Sequence, residues 1–393
     1  MKIKHITKKL GSRFCSALLI AALLLGNFSV FADGEKREVA MSYTAKAAYL
    51  IEQDTGTVLF EQNSTQELAP ASLTKLMDLI LIYEAFDEGV LTPGQKLTCS
   101  SYAKTMGGSE IWLKEGEQMT VEDLLKALIV ASANDAAVVF AEAIAVTEEA
   151  FVEKMNQKAQ ELGLVNTHFV NCTGFDEEGH YTCAQDVATM ARELMTKHGE
   201  EITRYSTIWM DSLRGGTSQL VNTNKLVRHY AGATGLKTGT TSKAGHNLSA
   251  TAERGGLAFV AVILGCETTD ERFGSARKML DYGFANYSVY TPQVDTDALP
   301  SVPVLHGVSE STIPVADEIR PILLRKGQEK QVTCTTEMAA DLEAPVYEGQ
   351  VIGQIVVTLD GKTIAEYPIR ASEAVARLGF GGAFWKLLCA LLG

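Results

Sequence analysis

The chain has 393 residues with 35 basic and 48 acidic side chains, a net charge of −13. That acidity excludes a nucleic-acid binder, which needs a basic footprint to replace phosphate counterions. Hydrophobic content of 46 % and charged content of 21 % are those of a folded chain rather than a disordered one.

The first feature in chain order is a leader. Lys2, Lys4, Lys8, Lys9 and Arg13 precede an apolar stretch from Phe14 to Leu25, and Val30-Phe31-Ala32 makes a small-x-small cleavage site before Asp33. Residues 1–32 are therefore predicted to direct export, with the mature chain working outside the cytoplasmic membrane. Nowhere does the chain offer about 20 uninterrupted apolar residues, which excludes a polytopic membrane protein.

Next, Ala47 to Ile51 and Val58 to Phe60 flank Asp54-Thr55-Gly56, a hairpin signal. Pro70 opens and Gly89 closes a run from Ala71 to Glu88, the proline-first, glycine-after asymmetry of a helix. Leu73, Leu76, Met77, Leu79, Ile80, Leu81 and Ile82 make it apolar on nearly every side, which suits burial at a domain centre. Residues 121–200 have a mostly helical period. From about Gly235 the period changes, and 236–240, 247–252 and 257–264 read as three successive strands, followed by an amphipathic helix around 276–283.

Beyond Tyr290 the composition shifts. Pro292, Pro300 and Pro303 mark a linker, and residues 304–370 alternate like strands around an Asp360-Gly361 turn, predicting a small all-β domain. Val375 to Leu392 sets Leu378, Phe384, Trp385, Leu387, Leu388, Leu391 and Leu392 beside Arg377 and Lys386. The segment is too short to span a bilayer but suits a helix lying in the headgroup plane. The predicted boundaries are 1–32 for the leader, 33–290 for a first domain, 291–372 for the β-rich domain and 373–393 for the tail.

Six cysteines come after the leader, thinly spread, and Cys172 and Cys183 are the closest pair; sequence does not decide between a bridge and free thiols. His168, Cys172, His180 and Cys183 form a loose cluster whose spacing matches no compact zinc pattern, so no metal and no other cofactor is expected.

Three short motifs carry the chemistry. Ser72-Leu73-Thr74-Lys75 sets a hydroxyl and an amine at i and i+3, on one face at the start of the apolar helix. A neutral amine there removes the hydroxyl proton, provided burial and a neighbouring cation lower its pKa. Ser101-Tyr102-Ala103-Lys104 and Ser275-Ala276-Arg277-Lys278 have similar spacing, but only Ser72 comes behind a proline at the head of a long apolar helix. Ser132-Ala133-Asn134 ends an apolar helical run, and its two polar side chains point roughly together, suited to passing a proton and holding a substrate amide. Lys237-Thr238-Gly239 lies on the first strand of the carboxyl-terminal group. Lys237 supplies charge, Thr238 a hydroxyl, and Gly239 room for close backbone approach, so that an extended peptide pairs with the strand.

Ser-x-x-Lys, Ser-x-Asn and Lys-Thr-Gly in that order are the signature of serine β-lactamases and penicillin-binding proteins. From about Ala47 to Ser372 the chain resembles the low-molecular-mass penicillin-binding proteins, the serine-type D-alanyl-D-alanine carboxypeptidases. The resemblance implies an α/β (α+β) fold, an antiparallel sheet with a helical subdomain from about residue 90 to 230, plus the small all-β domain. It implies Ser72 as nucleophile, Lys75 as its base, Ser132, Asn134 and Lys237 as catalytic partners, and Thr238 and Gly239 as substrate-binding. The oxyanion hole would be the N–H groups of Ser72 and Thr240, and Arg272 would grip a terminal carboxylate. It implies as partners peptidoglycan stem peptides ending in D-Ala-D-Ala, β-lactam antibiotics and, through the tail, the membrane surface, with the enzyme in the cell-wall space. Ala133 departs from the glycine of many relatives. A class A β-lactamase lacks support because Glu161-Leu162-Gly163-Leu164-Val165-Asn166 does not supply its glutamate motif. A metallopeptidase lacks His-Glu-x-x-His, and a non-catalytic sensor of β-lactams or wall peptides is the remaining alternative.

Overall fold

The computed structural model describes residues 43–392, and the leader lies outside them. Two compact units emerge, one running to Val289 and including Leu323–Lys326, the other holding the rest of the chain from Tyr290. Among the described residues no helix is long and apolar enough to cross a membrane.

In the first unit, the hairpin forms β1 (Ala47–Glu52) and β2 (Val58–Gln62). A single 3-10 turn over Ala71–Thr74 leads into α1 (Lys75–Asp87), which ends where Gly89 adopts φ 72°. Gly89 N–H then donates to Phe86 O and Val90 N–H to Ala85 O, a Schellman closure. A small ribbon of β3 (Lys96–Thr98) and β4 (Gln118–Thr120) precedes α2 (Val121–Lys126), α3 (Asn134–Ala145), α4 (Glu148–Glu161) and α5 (Ala184–Ser206). A second ribbon, β5 (Met210–Leu213) with β6 (Ser218–Val221), leads to β7 (Ala233–Thr241), β8 (Gly245–Arg254) and β9 (Leu257–Cys266). The main sheet has the order β2-β1-β9-β8-β7, every neighbour antiparallel.

Period-two alternation divides this sheet between two apolar layers. Tyr49 and Ile51 of β1, with Val260, Val262 and Leu264 of β9, face the layer that contains α1. Leu50, Phe259, Ala261 and Ile263 face the other layer, where they meet Ala276, Met279 and Leu280. Those three belong to α6, which spans Thr269–Asn286 and so starts about two turns before the predicted helix. Its true start is a capping box: Glu271 N–H donates to the Thr268 hydroxyl, and Thr268 N–H to the Glu271 carboxylate.

The second unit is built from strands. Val351–Leu359 and Lys362–Ala371 pair as a long hairpin, flanked by Val332–Met338 on one side and Pro314–Ala316 on the other. Ile355, Val357 and Ile369 centre its core, and Val375 joins them, bridged to Val346 and 1 % exposed. Val375 thus packs inside the β unit. The terminal helix, α7, covers Phe380–Leu392 and carries exposed Phe380, Phe384 and Trp385.

Candidate active site

Ser72 sits on a turn that two glycines make room for. Ala71 ahead of it has φ 49°, a left-handed conformation costly for a residue with a Cβ. A Cβ at Gly174 would stand 2.0 Å from the Ala71 carbonyl oxygen, and one at Gly239 would stand 2.9 Å from Pro70 O and 3.0 Å from Ser72 N. The close approach expected of Gly239 is therefore made by the protein's own Pro70–Ser72 backbone. Two further ties hold the turn. Asn247 Nδ2 donates to Ala69 O at 2.9 Å and Pro70 O at 3.1 Å, while its Oδ1 accepts from Gly265 N–H at 2.8 Å. Thr74 Oγ1 donates to Ala71 O at 2.9 Å and lies 2.8 Å from His180 Nε2. Because His180 Nδ1 accepts from Val170 N–H, its proton belongs on Nε2 and points at Thr74.

Lys75 opens α1 with its amine wholly buried. Nζ donates to Thr173 O at 2.6 Å and Asn134 Oδ1 at 2.7 Å, and lies 3.3 Å from Ser72 Oγ. Burial pulls its pKa down to about 8, against the pull of Asp78, Cys172 and Asp135, which favour the charged form. A neutral amine has two N–H bonds and one lone pair. The two short contacts use both hydrogens and leave the lone pair for the Ser72 hydroxyl.

Ser132 comes directly after a π-helical turn over Ala127–Ala131 and is itself left-handed, with φ 61° and ψ 34°. Such turns cluster at functional sites because they change the direction of the chain and of the next side chain. Here Ser132 Oγ receives a hydrogen bond from Lys237 Nζ at 2.8 Å, and Asn134 begins α3 with its amide aimed at Lys75. Loop 107–109 grips Asn134: its Nδ2 donates to Gly107 O at 2.7 Å and its N–H to Ser109 O at 2.7 Å. The buried Asp135 carboxylate orders the rest of that loop by accepting from Ile111 and Leu113 N–H.

Lys237, on β7 and 1 % exposed, also donates to Thr238 O at 2.9 Å. Burial drives its pKa well below that of a free lysine, and the charges of Lys75 and Arg272 push the same way. Thr238 Oγ1 donates to Thr223 Oγ1 at 2.6 Å. Arg272 lies on the first turn of α6, with Nη1 donating to Gly239 O at 3.2 Å, Thr240 Oγ1 at 3.1 Å and Asn247 O at 3.1 Å. The structure thus gathers all nine predicted positions along one end of β7 and the start of α1.

Several supporting roles escaped the sequence reading: those of Asn247, of the left-handed Ala71, of the Thr173 carbonyl and of the Asp135 carboxylate. Asp135 adjoins the second motif and had a visible signal, an acid on the first turn of a helix. Cys172 and Cys183 carry free thiols, and among the described residues no cluster suited to a metal ion occurs. His168 and His180 are engaged instead with Gly179 O and Thr74.

A hydroxyl set against a buried amine at the seam between a sheet and a helical layer is the layout of a serine hydrolase that uses lysine in place of histidine. The profile of the D-alanyl-D-alanine carboxypeptidases matches residues 34–268, and that of the penicillin-binding protein 5 C-terminal domain matches 291–377. D-alanyl-D-alanine carboxypeptidase DacF of Bacillus subtilis is 42 % identical over 375 residues, covering 94 % of this chain and 96 % of that one. The crystal structure of penicillin binding protein 5 from Haemophilus influenzae superposes with a TM-score of 0.76 at 30 % identity, over 86 % of this chain and 99 % of that one. Penicillin-Binding Protein D2 from Listeria monocytogenes, solved in an ampicillin-bound form, matches 62 % of this chain and 99 % of its own at a TM-score of 0.57 and 30 % identity. The chain belongs to the D-alanyl-D-alanine carboxypeptidase family.

Proposed function

We propose that this enzyme removes the terminal D-alanine from peptidoglycan stem peptides through an acyl-enzyme on Ser72, and that β-lactams acylate the same oxygen. The observation that carries this reading is the Lys75 amine, fully buried, with both hydrogens engaged and Ser72 Oγ 3.3 Å away. Neutral Lys75 accepts the Ser72 proton as Oγ attacks the carbonyl carbon of the penultimate D-alanine. The developing oxyanion meets the backbone N–H groups of Ser72 and Thr240, which cost no reorganisation because the turn is already tied down. Ser132, bonded to Lys237, returns a proton to the leaving amine. Asn134 holds the substrate amide, Thr238 and Gly239 line the strand along which the peptide extends, and Arg272 supplies a guanidinium for the free carboxylate. Water then releases the shortened peptide.

Around this chemistry, residues 1–32 would export the chain, 33–290 form the catalytic domain, the β-rich domain run from 291 past the predicted 372 to include Val375, and the rest of the tail hold the enzyme at the outer face of the cytoplasmic membrane. The exposed Phe380, Phe384 and Trp385 of α7 support that last assignment.

Intact-mass spectrometry after benzylpenicillin, with peptide mapping, tests the nucleophile. Ser72→Ala should lose both the covalent adduct and D-alanine release from a diacyl peptide ending in D-Ala-D-Ala, and a surviving adduct refutes the role of Ser72. Adduct formation without D-alanine release from the unaltered enzyme would mark a sensor. Deleting residues 379–393, which spares the packed Val375 and the bridged Arg377, should move the protein from the membrane to the soluble fraction, and an unchanged distribution refutes the anchor.

A further inference from the structure

Trp112 is 73 % exposed and left-handed, with φ 54°. A left-handed backbone is costly for a bulky aromatic residue, and such strain persists only where the surroundings impose it. Here they do. Its neighbours Ile111 and Leu113 are buried in the core, and the N–H groups of both donate to the Asp135 carboxylate. Arg214 Nη1 donates to Ile111 O at 2.9 Å. With both neighbours pinned inward, the turn at Trp112 presents the indole outward. The residue borders a cleft of about 550 Å³ between two connections, the one joining β3 to β4 and the turn joining β5 to β6. Most of the other side chains there are polar: Lys114, Glu115, Glu117, Arg214 and Ser218. Glu117 is committed to Arg214 Nε at 2.6 Å and to Lys114 N–H at 3.0 Å. Ser218 Oγ accepts from Arg214 Nη1 at 2.8 Å, which leaves the hydroxyl its own hydrogen to donate.

From this arrangement we infer that the cleft is a sugar site. The indole takes the apolar face of an N-acetylated amino-sugar ring of the wall glycan, Ser218 and Lys114 donate to its hydroxyl and acetamido oxygens, and Glu115 accepts from its hydroxyls. The inference rests on the substrate being peptidoglycan, whose stem peptides hang from such a glycan. The shape of the polarity favours a sugar. A pyranose is apolar on its faces and polar round its edge, and the cleft offers one aromatic plane with donors and acceptors beside it. A protein or a lipid surface needs a broader apolar area, yet Trp112 is the one exposed large apolar side chain among the lining residues. Position favours it too. Ser109 O accepts from Asn134 N–H at 2.7 Å. Three residues of chain reach at most about 11 Å, so Trp112 stands close to the catalytic amide. It lies off β7, leaving the margin for the peptide clear. Asp135, which pins both neighbours of Trp112, directly follows Asn134, so platform and catalytic loop share one support.

The test compares D-alanine release by the full mature chain from two substrates. One is a free pentapeptide ending in D-Ala-D-Ala, and the other is the same pentapeptide carried on its N-acetylglucosaminyl-N-acetylmuramyl disaccharide. Trp112→Gly removes the indole and suits the left-handed backbone, so the fold is kept. In that variant the ratio of kcat/KM for the disaccharide substrate to that for the bare peptide should fall roughly tenfold, mainly through KM. Trp112→Phe, which keeps an aromatic plane, should recover part of the ratio. A ratio that Trp112→Gly leaves in place overturns the inference. Saturation-transfer NMR with the peptide-free disaccharide reads the cleft without turnover. The pyranose protons should receive signal from the unaltered enzyme and lose it with Trp112→Gly, and no transfer from the unaltered enzyme also overturns the inference. Failure of the underlying reading looks different: neither substrate then releases D-alanine, and the NMR signal alone decides the sugar site.

Discussion

Replacing Asn247 by Ala would test how the nucleophile's turn is held to the sheet. The side chain is fully buried on β8 and joins three backbone groups: Ala69 O, Pro70 O and Gly265 N–H. Pro70 O keeps a second donor, Leu73 N–H at 3.3 Å, so truncation orphans Ala69 O and Gly265 N–H. At about 1–3 kcal/mol for each buried group left unsatisfied, the expected loss of stability is about 2–6 kcal/mol. The catalytic consequence is separate. Freed from β8, the turn carries Ser72 away from the lone pair of Lys75, and a shift of about 1 Å costs on the order of 100-fold in acylation rate. Denaturant titration monitored by far-ultraviolet circular dichroism measures the first effect, and stopped-flow acylation by a chromogenic cephalosporin the second. A destabilisation below about 1 kcal/mol with an unchanged acylation rate would refute the idea that Asn247 ties the turn down.

Gly174→Ala should cost more, because its Cβ would stand 2.0 Å from the Ala71 carbonyl at a backbone φ of 88°, with only main chain to move; covalent labelling by benzylpenicillin should be lost, and normal labelling counts against a rigid turn. With Lys75 pulled to about 8, acylation should rise tenfold per pH unit below that value and level off above it, so a plateau already reached at pH 6 refutes a lysine base. His180 is held neutral down to about 4, chiefly by burial. As pH falls from about 6.5 the unfolded chain binds a proton that the fold does not, so stability drops through that window and levels off near 4. His180→Gln should remove this slope in plots of Tm against pH, and an unaltered slope would assign it to other groups.

Much of the site was legible because its motifs lie where local rules apply. Ser72 and Lys75 share a helix face, and Pro70 and Gly89 mark the limits of that helix. The three strands after Gly235 show their period directly. The features that escaped depend on packing between distant segments. Asp78 sits in a run that looks apolar all round, and nothing local indicates that its carboxyl is enclosed and unpartnered. The left-handed backbone at Ser132 depends on ties such as Thr223 N–H to Val130 O and Asn134 N–H to Ser109 O, which join loops far apart in the chain. The start of α6 was written in Thr268 and Glu271, but the polar stretch behind them hid the helical period. Val375 reads as part of an apolar tail until Val346 is seen across from it.

Strand β7 is the outermost member of its sheet, and its one lysine turns inward toward Ser132. Open sheet margins invite another chain to add on, and an inward-facing charge is a known deterrent to indiscriminate stacking. Lys237, held inside by Ser132 Oγ and Thr238 O, would be a deterrent of that kind on the margin along which the proposed peptide extends. An inactive variant made with methionine at this position would be expected to clump on concentration, while one made with arginine would stay dispersed.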